Sequence, residues 1–245
     1  MTESARVVLI TGAARRIGAQ IAQTLHAAGW SVAVHAHQSA DALHTAAFAM
    51  EMARPGSVLS LQADLADPQA PAQLVDDTLA HFGRLDALVN NASNFFPTPL
   101  GQIDAAAFDQ LMAVNARAPL LLAQAAAPAL QRAGGAIVNL TDLHAATPKR
   151  DHAAYCAAKA ALAMITASLA LELAPQVRVN AVAPGAVLWP EEGKPEAARI
   201  ALMQRTPLAR LGTVEEVAEA VRWLIEDAGY LTGQTLGLDG GRRLT

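Results

Sequence analysis

Cysteine is almost absent: Cys156 is the sole one in 245 residues. An internal disulfide is thereby excluded, and a reducing compartment fits. Charge is also scarce, at 16% of residues against 53% hydrophobic. A disordered chain needs the opposite balance, so the composition implies a much-buried α/β domain or an oligomer. No basic run interrupts a net charge of −4, which argues against nucleic acid as a partner. The N-terminus leads only into the short apolar run Val7 to Ile10. That is neither a signal sequence nor a membrane span, so a cytoplasmic location and no membrane partner are expected. No Pro/Ser-rich linker, composition shift or internal repeat divides the chain, and one domain over residues 1–245 is expected.

Beyond those absences, short β-prone runs alternate with alanine-rich helical stretches. Residues 7–10, 31–35, 58–62, 87–90, 136–140, 177–182 and 235–238 read as strands. Most are apolar without a period of two, which suits strands covered on both faces. Helical patterns fill 17–28, 41–52, 69–82, 108–131 with a break near Pro119, 153–173 and 214–225. This alternation requires right-handed crossovers and predicts an α/β fold. It is a Rossmann-type, doubly wound parallel sheet of about seven strands with helices on both faces. The least regular stretch, 185–211, holds Pro190, Gly193, Pro195 and Pro207. It is long for a connection in a compact domain, which makes 186–211 a candidate substrate lid.

Residues 7–18, Val-Val-Leu-Ile-Thr-Gly-Ala-Ala-Arg-Arg-Ile-Gly, read as a strand, a turn and a helix start. Gly12 permits a tight turn, and Gly18 lets the helix approach the sheet. The helix N-terminus offers free N–H groups and a positive dipole end to a phosphate. Arg16 stands where the glycine-rich pattern has its middle glycine, so two cations, Arg15 and Arg16, sit at the turn. They serve the phosphates or are solvated surface arginines. About 20 residues past the turn, an NAD site places an acid for the ribose 2′-hydroxyl. Here the second strand ends in His35-Ala-His37-Gln38-Ser39, and no acid precedes Asp41. A carboxylate would repel a 2′-phosphate, whereas Arg15, His37 and Ser39 can receive one, so NADP(H) is expected over NAD(H). His35 and His37 are cofactor neighbours or satisfied strand residues; no third ligand at suitable spacing makes them a metal site.

Tyr155 and Lys159 are four apart and share a helix face. A nearby ammonium favours the phenolate, which would bring a phenol of ordinary pKa about 10 nearer to neutrality. Such pairs also arise by chance.

Thr11-Gly12…Gly18, Asp64-Leu65, Asn90-Asn91-Ala92, Asn115, Tyr155-x-x-x-Lys159, Pro184-Gly185 and Asp239-Gly240-Gly241 occur in this order over essentially the whole chain. Together they resemble the short-chain dehydrogenase/reductase superfamily. The resemblance implies that Ile17 belongs to the cofactor turn and that Asp64 and Leu65 flank the adenine. Asn91 and Ala92 would line the ribose–nicotinamide side, and Pro184, Gly185 and Val187 would contact the nicotinamide. Asn115 would hold a water-bearing proton relay to Lys159, and Lys159 would also bind the ribose. Taken singly, Asp64 reads equally as a turn residue.

One departure narrows the resemblance. The superfamily usually has a serine 13 residues before the tyrosine, and here that position is Asp142. Together with the Arg16 substitution, the His35-x-His37-x-Ser39 strand end and residues 90–100, Asn-Asn-Ala-Ser-Asn-Phe-Phe-Pro-Thr-Pro-Leu, it resembles the pteridine reductases. That subgroup reduces biopterin- and folate-type rings with NADPH. The resemblance implies that Arg16 meets pyrophosphate and pterin, Ser93 bonds pterin and cofactor, and Phe95 stacks on the pterin. Phe95 also reads as packing beneath the lid, and Asp142 as a turn acid. Many members carry an arginine where this chain has Gln38.

A pterin is reduced at a C=N bond, and the ring nitrogen needs a general acid. Tyr155 is the expected donor, Asp142 its partner and Lys159 its electrostatic tuner. The alternatives are a carbonyl or 3-oxoacyl reductase with the same cofactor site, and a non-catalytic NADP-binding regulator. Helix 153–173 is apolar around much of its circumference, and superfamily members often form tetramers through this region, so a homotetramer is expected by resemblance.

Overall fold

Val7–Ile10, four apolar residues buried on both faces, form the central strand β1 of a parallel sheet. The computed structural model describes residues 5–189, 193 and 195–245. The other strands are β2 (Ser31–Ala36), β3 (Val58–Gln62), β4 (Ala87–Asn90), β5 (Ala136–Leu140), β6 (Arg178–Pro184) and β7 (Thr235–Leu238). Their order is β3-β2-β1-β4-β5-β6-β7, and each neighbouring pair is parallel. Strands β2, β4 and β5 are buried throughout, while the edge strand β3 is only partly covered. This is why the inner strands lack a period of two.

Eight α-helices accompany the sheet among the described residues: α1 (Arg16–Ala27), α2 (Ala40–Ala53), α3 (Ala70–Phe82), α4 (Ala105–Met112), α5 (Ala118–Ala133), α6 (Ala153–Leu173), α7 (Glu196–Gln204) and α8 (Val214–Glu226). On one face, Ile21 and Leu25 of α1, Leu43 of α2 and Val221 of α8 pack on Val8, Ile10 and Val32. On the other, Leu74 of α3, Leu122 of α5 and Leu169 of α6 cover Leu9, Leu88 and Ile137. The chain therefore has the doubly wound α/β fold its alternation predicts. The strand order reverses between β1 and β4, and the crevice beyond their carboxyl ends is where such sheets bind ligands.

Two expectations need correction, and one helix needs a comment. Pro119 breaks nothing: it lies in the first turn of α5, where a missing N–H is not used. The irregularity lies just upstream, a π-helical turn at Ala113–Arg117. Such turns often mark functional sites. The stretch 186–211 is also not a continuous loop, since α7 occupies Glu196–Gln204. Pro190 lies outside the described residues. Finally, α6 is long and apolar enough to cross a membrane, yet it packs on the sheet and carries buried Tyr155 and Lys159.

Candidate active site

Thr11 fastens the first turn to the fourth strand. Its Oγ1 accepts the N–H groups of Asn91 at 3.0 Å and Ala92 at 3.1 Å. The Asn91 side-chain amide donates back to the Thr11 and Gly12 carbonyls, both at 2.9 Å. No side chain fits between these segments. Gly12 has φ +65°, and a Cβ there would lie 2.8 Å from the Ala92 Cα; a Cβ on Gly18 would lie 2.1 Å from the Gly12 carbonyl oxygen. The close approach leaves a groove beside the α1 N-terminus. One cavity of about 430 Å³ is lined by Gly12, Arg15, His37, Gln38, Ser39, Asp64, Leu65 and Ala92. A second, of about 540 Å³, shares Gly12, Arg15, Ala92 and Ser93 with it. It runs past Arg16, Ile17, Gly18 and Asn91 to Asp142, Tyr155, Lys159, Pro184 and Gly185.

The structure separates the two histidines. His35 is 1% exposed. Its Nδ1 accepts the Gly12 N–H at 3.4 Å, so the hydrogen is on Nε2, which donates to the Ala63 carbonyl at 3.0 Å. Burial pushes its pKa below the ordinary value and keeps it neutral. His35 thus braces the phosphate turn, and its ring nitrogens are committed to the protein. His37 is half exposed and faces Asp64 at 3.8 Å. Asp64 also closes its own turn by accepting the Ala66 N–H at 2.9 Å.

Arg16 adopts φ +54°. Left-handed backbone favours glycine, and a non-glycine residue there costs about 1 kcal/mol. The chain keeps the conformation of the missing glycine and places a cation on it.

At the far end of the groove, Asp142 has two tasks. Its Oδ1 accepts the His144 N–H at 2.7 Å and starts the short helix Leu143–Ala145. Its Oδ2 accepts the Tyr155 hydroxyl at 2.8 Å. Lys159 donates to the Leu140 carbonyl at 2.9 Å, and its Nζ is 5.9 Å from the Tyr155 ring centre. The expected easing of the phenol is therefore reversed. Burial, then the charge of Asp142 and the bond to it, push the Tyr155 pKa above its ordinary value; a hydrogen bond with Ser93 pulls the other way. Burial lowers Lys159 to about 8, and Asp142 offsets part of that.

Three further expected residues have these surroundings. Asn115, fully buried in the π-helical turn, bonds the Asn94 backbone at both ends of its amide, accepting N–H and donating to C=O at 2.9 Å each. It braces the strand-end loop, and Lys159 meets the Leu140 carbonyl. The Val187 side chain turns into the core, and Leu188 faces the cavity in its place. Phe95 is 55% exposed and lines the cavity, meeting the Tyr155 ring edge-on. His152, stacked on Phe95, and Arg242, whose guanidinium lies in the field of Asp142, were not legible in advance. Both stand just outside the motif residues, His152 three before Tyr155 and Arg242 directly after Asp239-Gly240-Gly241.

The family model described as Enoyl-(Acyl carrier protein) reductase matches residues 12–243, nearly the whole chain. The chain belongs to the short-chain dehydrogenase/reductase superfamily. It is 38% identical to Pteridine reductase 1 of Leishmania tarentolae, covering 99% of this chain and 98% of that protein. It is 37% identical to a 3-oxoacyl-[acyl-carrier-protein] reductase of a Synechocystis species, with 97% of each covered. A short-chain type dehydrogenase/reductase of Picea abies shares 36%, over 97% of this chain and 92% of the relative. The superfamily binds NAD(P), and the groove fits such a ligand: its glycines let backbone segments close on one another beside it, and Arg15 and Arg16 line it.

Proposed function

We infer that this reductase uses NADPH to reduce pterin-type rings, biopterin, dihydromonapterin or dihydrofolate in class. The reading rests above all on one observation: a carboxylate, Asp142, accepts the Tyr155 hydroxyl beside an exposed aromatic ring. A hydroxyl there suits a carbonyl, because it donates to a developing alkoxide. A carboxylate is unfit for that and suited to a nitrogen heterocycle, whose amino group it can accept from. Bound NADPH would supply the hydride to the ring carbon. The protein must then deliver a proton to the adjacent nitrogen. Tyr155 gives its hydroxyl proton and is reprotonated from solvent by way of Asp142, which restores a neutral phenol bonded to a carboxylate. Leaving a phenolate beside that carboxylate would oppose the raised Tyr155 pKa. The phenol must regain a proton in every cycle, so turnover is expected to fall as pH rises. Lys159 would hold the ribose, and Asn115 positions the loop carrying Ser93 and Phe95.

A steady-state panel of biopterin, dihydrobiopterin, dihydromonapterin and dihydrofolate, with NADPH against NADH, tests this reading. Rapid NADPH oxidation with a ketone or 3-oxoacyl thioester and none with any pterin would reject it. The likeness to a 3-oxoacyl reductase favours that second reading.

Two substitutions probe the cofactor end. Arg15, His37 and Ser39 share one cavity wall and would hold the 2′-phosphate. Arg15→Ala is expected to raise the NADPH KM at least tenfold, the scale of one charge-assisted hydrogen bond, with little effect on NADH. Equal effects on both cofactors would place Arg15 at the pyrophosphate. Arg16→Gly is expected to raise stability by about 1 kcal/mol, seen as a higher urea midpoint, while the pterin KM rises. A lower midpoint would count against strain at this position.

Assembly as a homotetramer follows from the same reading. Met164 and Leu171 on α6 are 67% and 83% exposed, and Leu120 of α5 is 40% exposed. Apolar exposure of this kind suits a subunit contact. Light scattering of the purified protein would reject the tetramer by returning the 25.5 kDa mass of one chain.

A further inference from the structure

Phe95 is more than half exposed, yet two neighbours fix its plane. The Phe95 and Tyr155 rings stand perpendicular at 4.8 Å and 86°, and the imidazole of His152 stacks on Phe95 at 4.7 Å and 25°. A phenyl ring has two faces on which flat groups stack. With one taken, one remains for a ligand. Phe95 lines the cavity that holds Asp142 and Tyr155, and His152 does not.

His152 is itself firmly held. Its Nδ1 lies 2.8 Å from the Arg150 carbonyl, which only accepts, so Nδ1 carries the hydrogen. Its backbone forms an isolated parallel bridge with Thr98, whose N–H donates to the Asp151 carbonyl at 2.5 Å. Asp151 sits at φ +60°, a left-handed conformation that persists in a non-glycine residue only where the surroundings impose it. The segment leaving Phe95 and the segment entering α6 are thus stitched together beside the stack.

We propose that His152 is a substrate-positioning residue that backs the Phe95 ring, so that a flat heterocycle stacks on the remaining face at the Tyr155 hydroxyl. This rests on the pterin reading above. His152 acts through Phe95 and does not touch the reacting atoms. Without the backing, Phe95 is free to turn and presents two faces, and the substrate loses its single pose.

The test is steady-state kinetics with dihydrobiopterin and NADPH on the full-length wild type, His152→Ala and His152→Phe. The alanine variant is expected to raise the dihydrobiopterin KM about fivefold, the scale of one lost aromatic pair. The NADPH KM should stay unchanged and kcat should move less. The phenylalanine variant restores the stack and should restore the KM. An unchanged KM in His152→Ala, or no rescue by phenylalanine, overturns the proposal. A KM that falls shows instead that His152 occupies the substrate's own face, and overturns it too. Proton NMR supplies a second readout that needs no substrate: the His152 ring protons should lie upfield and move downfield in Phe95→Leu. Absence of that shift overturns the stack even if the alanine variant fails to fold. A wild type that shows the shift but reduces no pterin rejects the substrate reading, and this role with it.

Discussion

Replacing Asp142 with serine is expected to lower kcat for dihydrobiopterin by about two to three orders of magnitude, the usual reach of a positioned acid–base group. NADPH affinity should stay unchanged. The carboxylate accepts the Tyr155 hydroxyl at 2.8 Å, and its charge is one of the causes that raise the phenol's pKa. Serine removes the carboxylate through which the phenol regains its proton. It should also lower the Tyr155 pKa towards its ordinary value, which an ultraviolet titration of the phenol would show. Serine still accepts the His144 N–H, so the short helix that follows should survive and folding should be little changed. Single-turnover kinetics, with NADPH binding measured separately, makes the comparison. Unchanged turnover would reduce Asp142 to the cap of residues 143–145. A gain of ketone reduction in the variant would show that residue 142 divides carbonyl from pterin chemistry.

The second large effect lies one helical turn beyond Tyr155. Lys159→Met is expected to abolish most activity and at the same time stabilise the ligand-free chain. The lysine is 2% exposed, and burial pushes its pKa down to about 8. A tenfold loss of proton affinity corresponds to about 1.4 kcal/mol, so the buried charge costs on the order of 3 kcal/mol. The bond to the Leu140 carbonyl returns part of this, and methionine forfeits it. The pH dependence separates these contributions. The folded chain binds this proton less tightly than the unfolded chain does. The penalty is therefore fully present below about 8 and is relieved as pH rises towards the free-lysine value of about 10.5. Wild-type urea midpoints should gain this contribution between those pH values, and the methionine variant should lack it. NADPH binding should weaken as pH passes 8, because the neutral amine no longer holds the ribose as a cation. A pH-independent difference between wild type and variant would show that the ammonium bears no such cost.

The parallel sheet was legible because its evidence is local. Strands buried on both faces are short apolar runs, and residues 7–10 and 136–140 matched β1 and β5 residue for residue. Boundaries slipped where a local rule had a second outcome. Pro119 signalled a break, but proline is as much at home in the first turn of a helix as at its end, and the π-helical turn at 113–117 has no sequence mark. The stretch 186–211 read as loop because its prolines and glycine are punctuation, whereas Pro195 stands immediately before α7.

In the site, spacing on one helix placed Tyr155 and Lys159 together, but the sign of the phenol's pKa shift depends on distances that spacing does not contain. The carboxylate bonds the hydroxyl directly, while the ammonium turns to the Leu140 carbonyl. His35 and His37 are equivalent in the strand pattern, and only the approach of Gly12 and Ala63 commits the first to bracing the turn.

By itself the sequence determined the alternation of strands and helices, the glycines that let backbone approach backbone, and the kinds of side chain gathered beyond the carboxyl ends of β1, β4 and β5. Those follow from steric limits and hydrophobic period, which act over a few residues. Only the tertiary structure decided which partner each polar side chain keeps. That choice sets the proton balance of the Asp142–Tyr155 pair and the free face of Phe95, because hydrogen bonds and ring stacking weaken within a fraction of an ångström and join segments far apart in the chain.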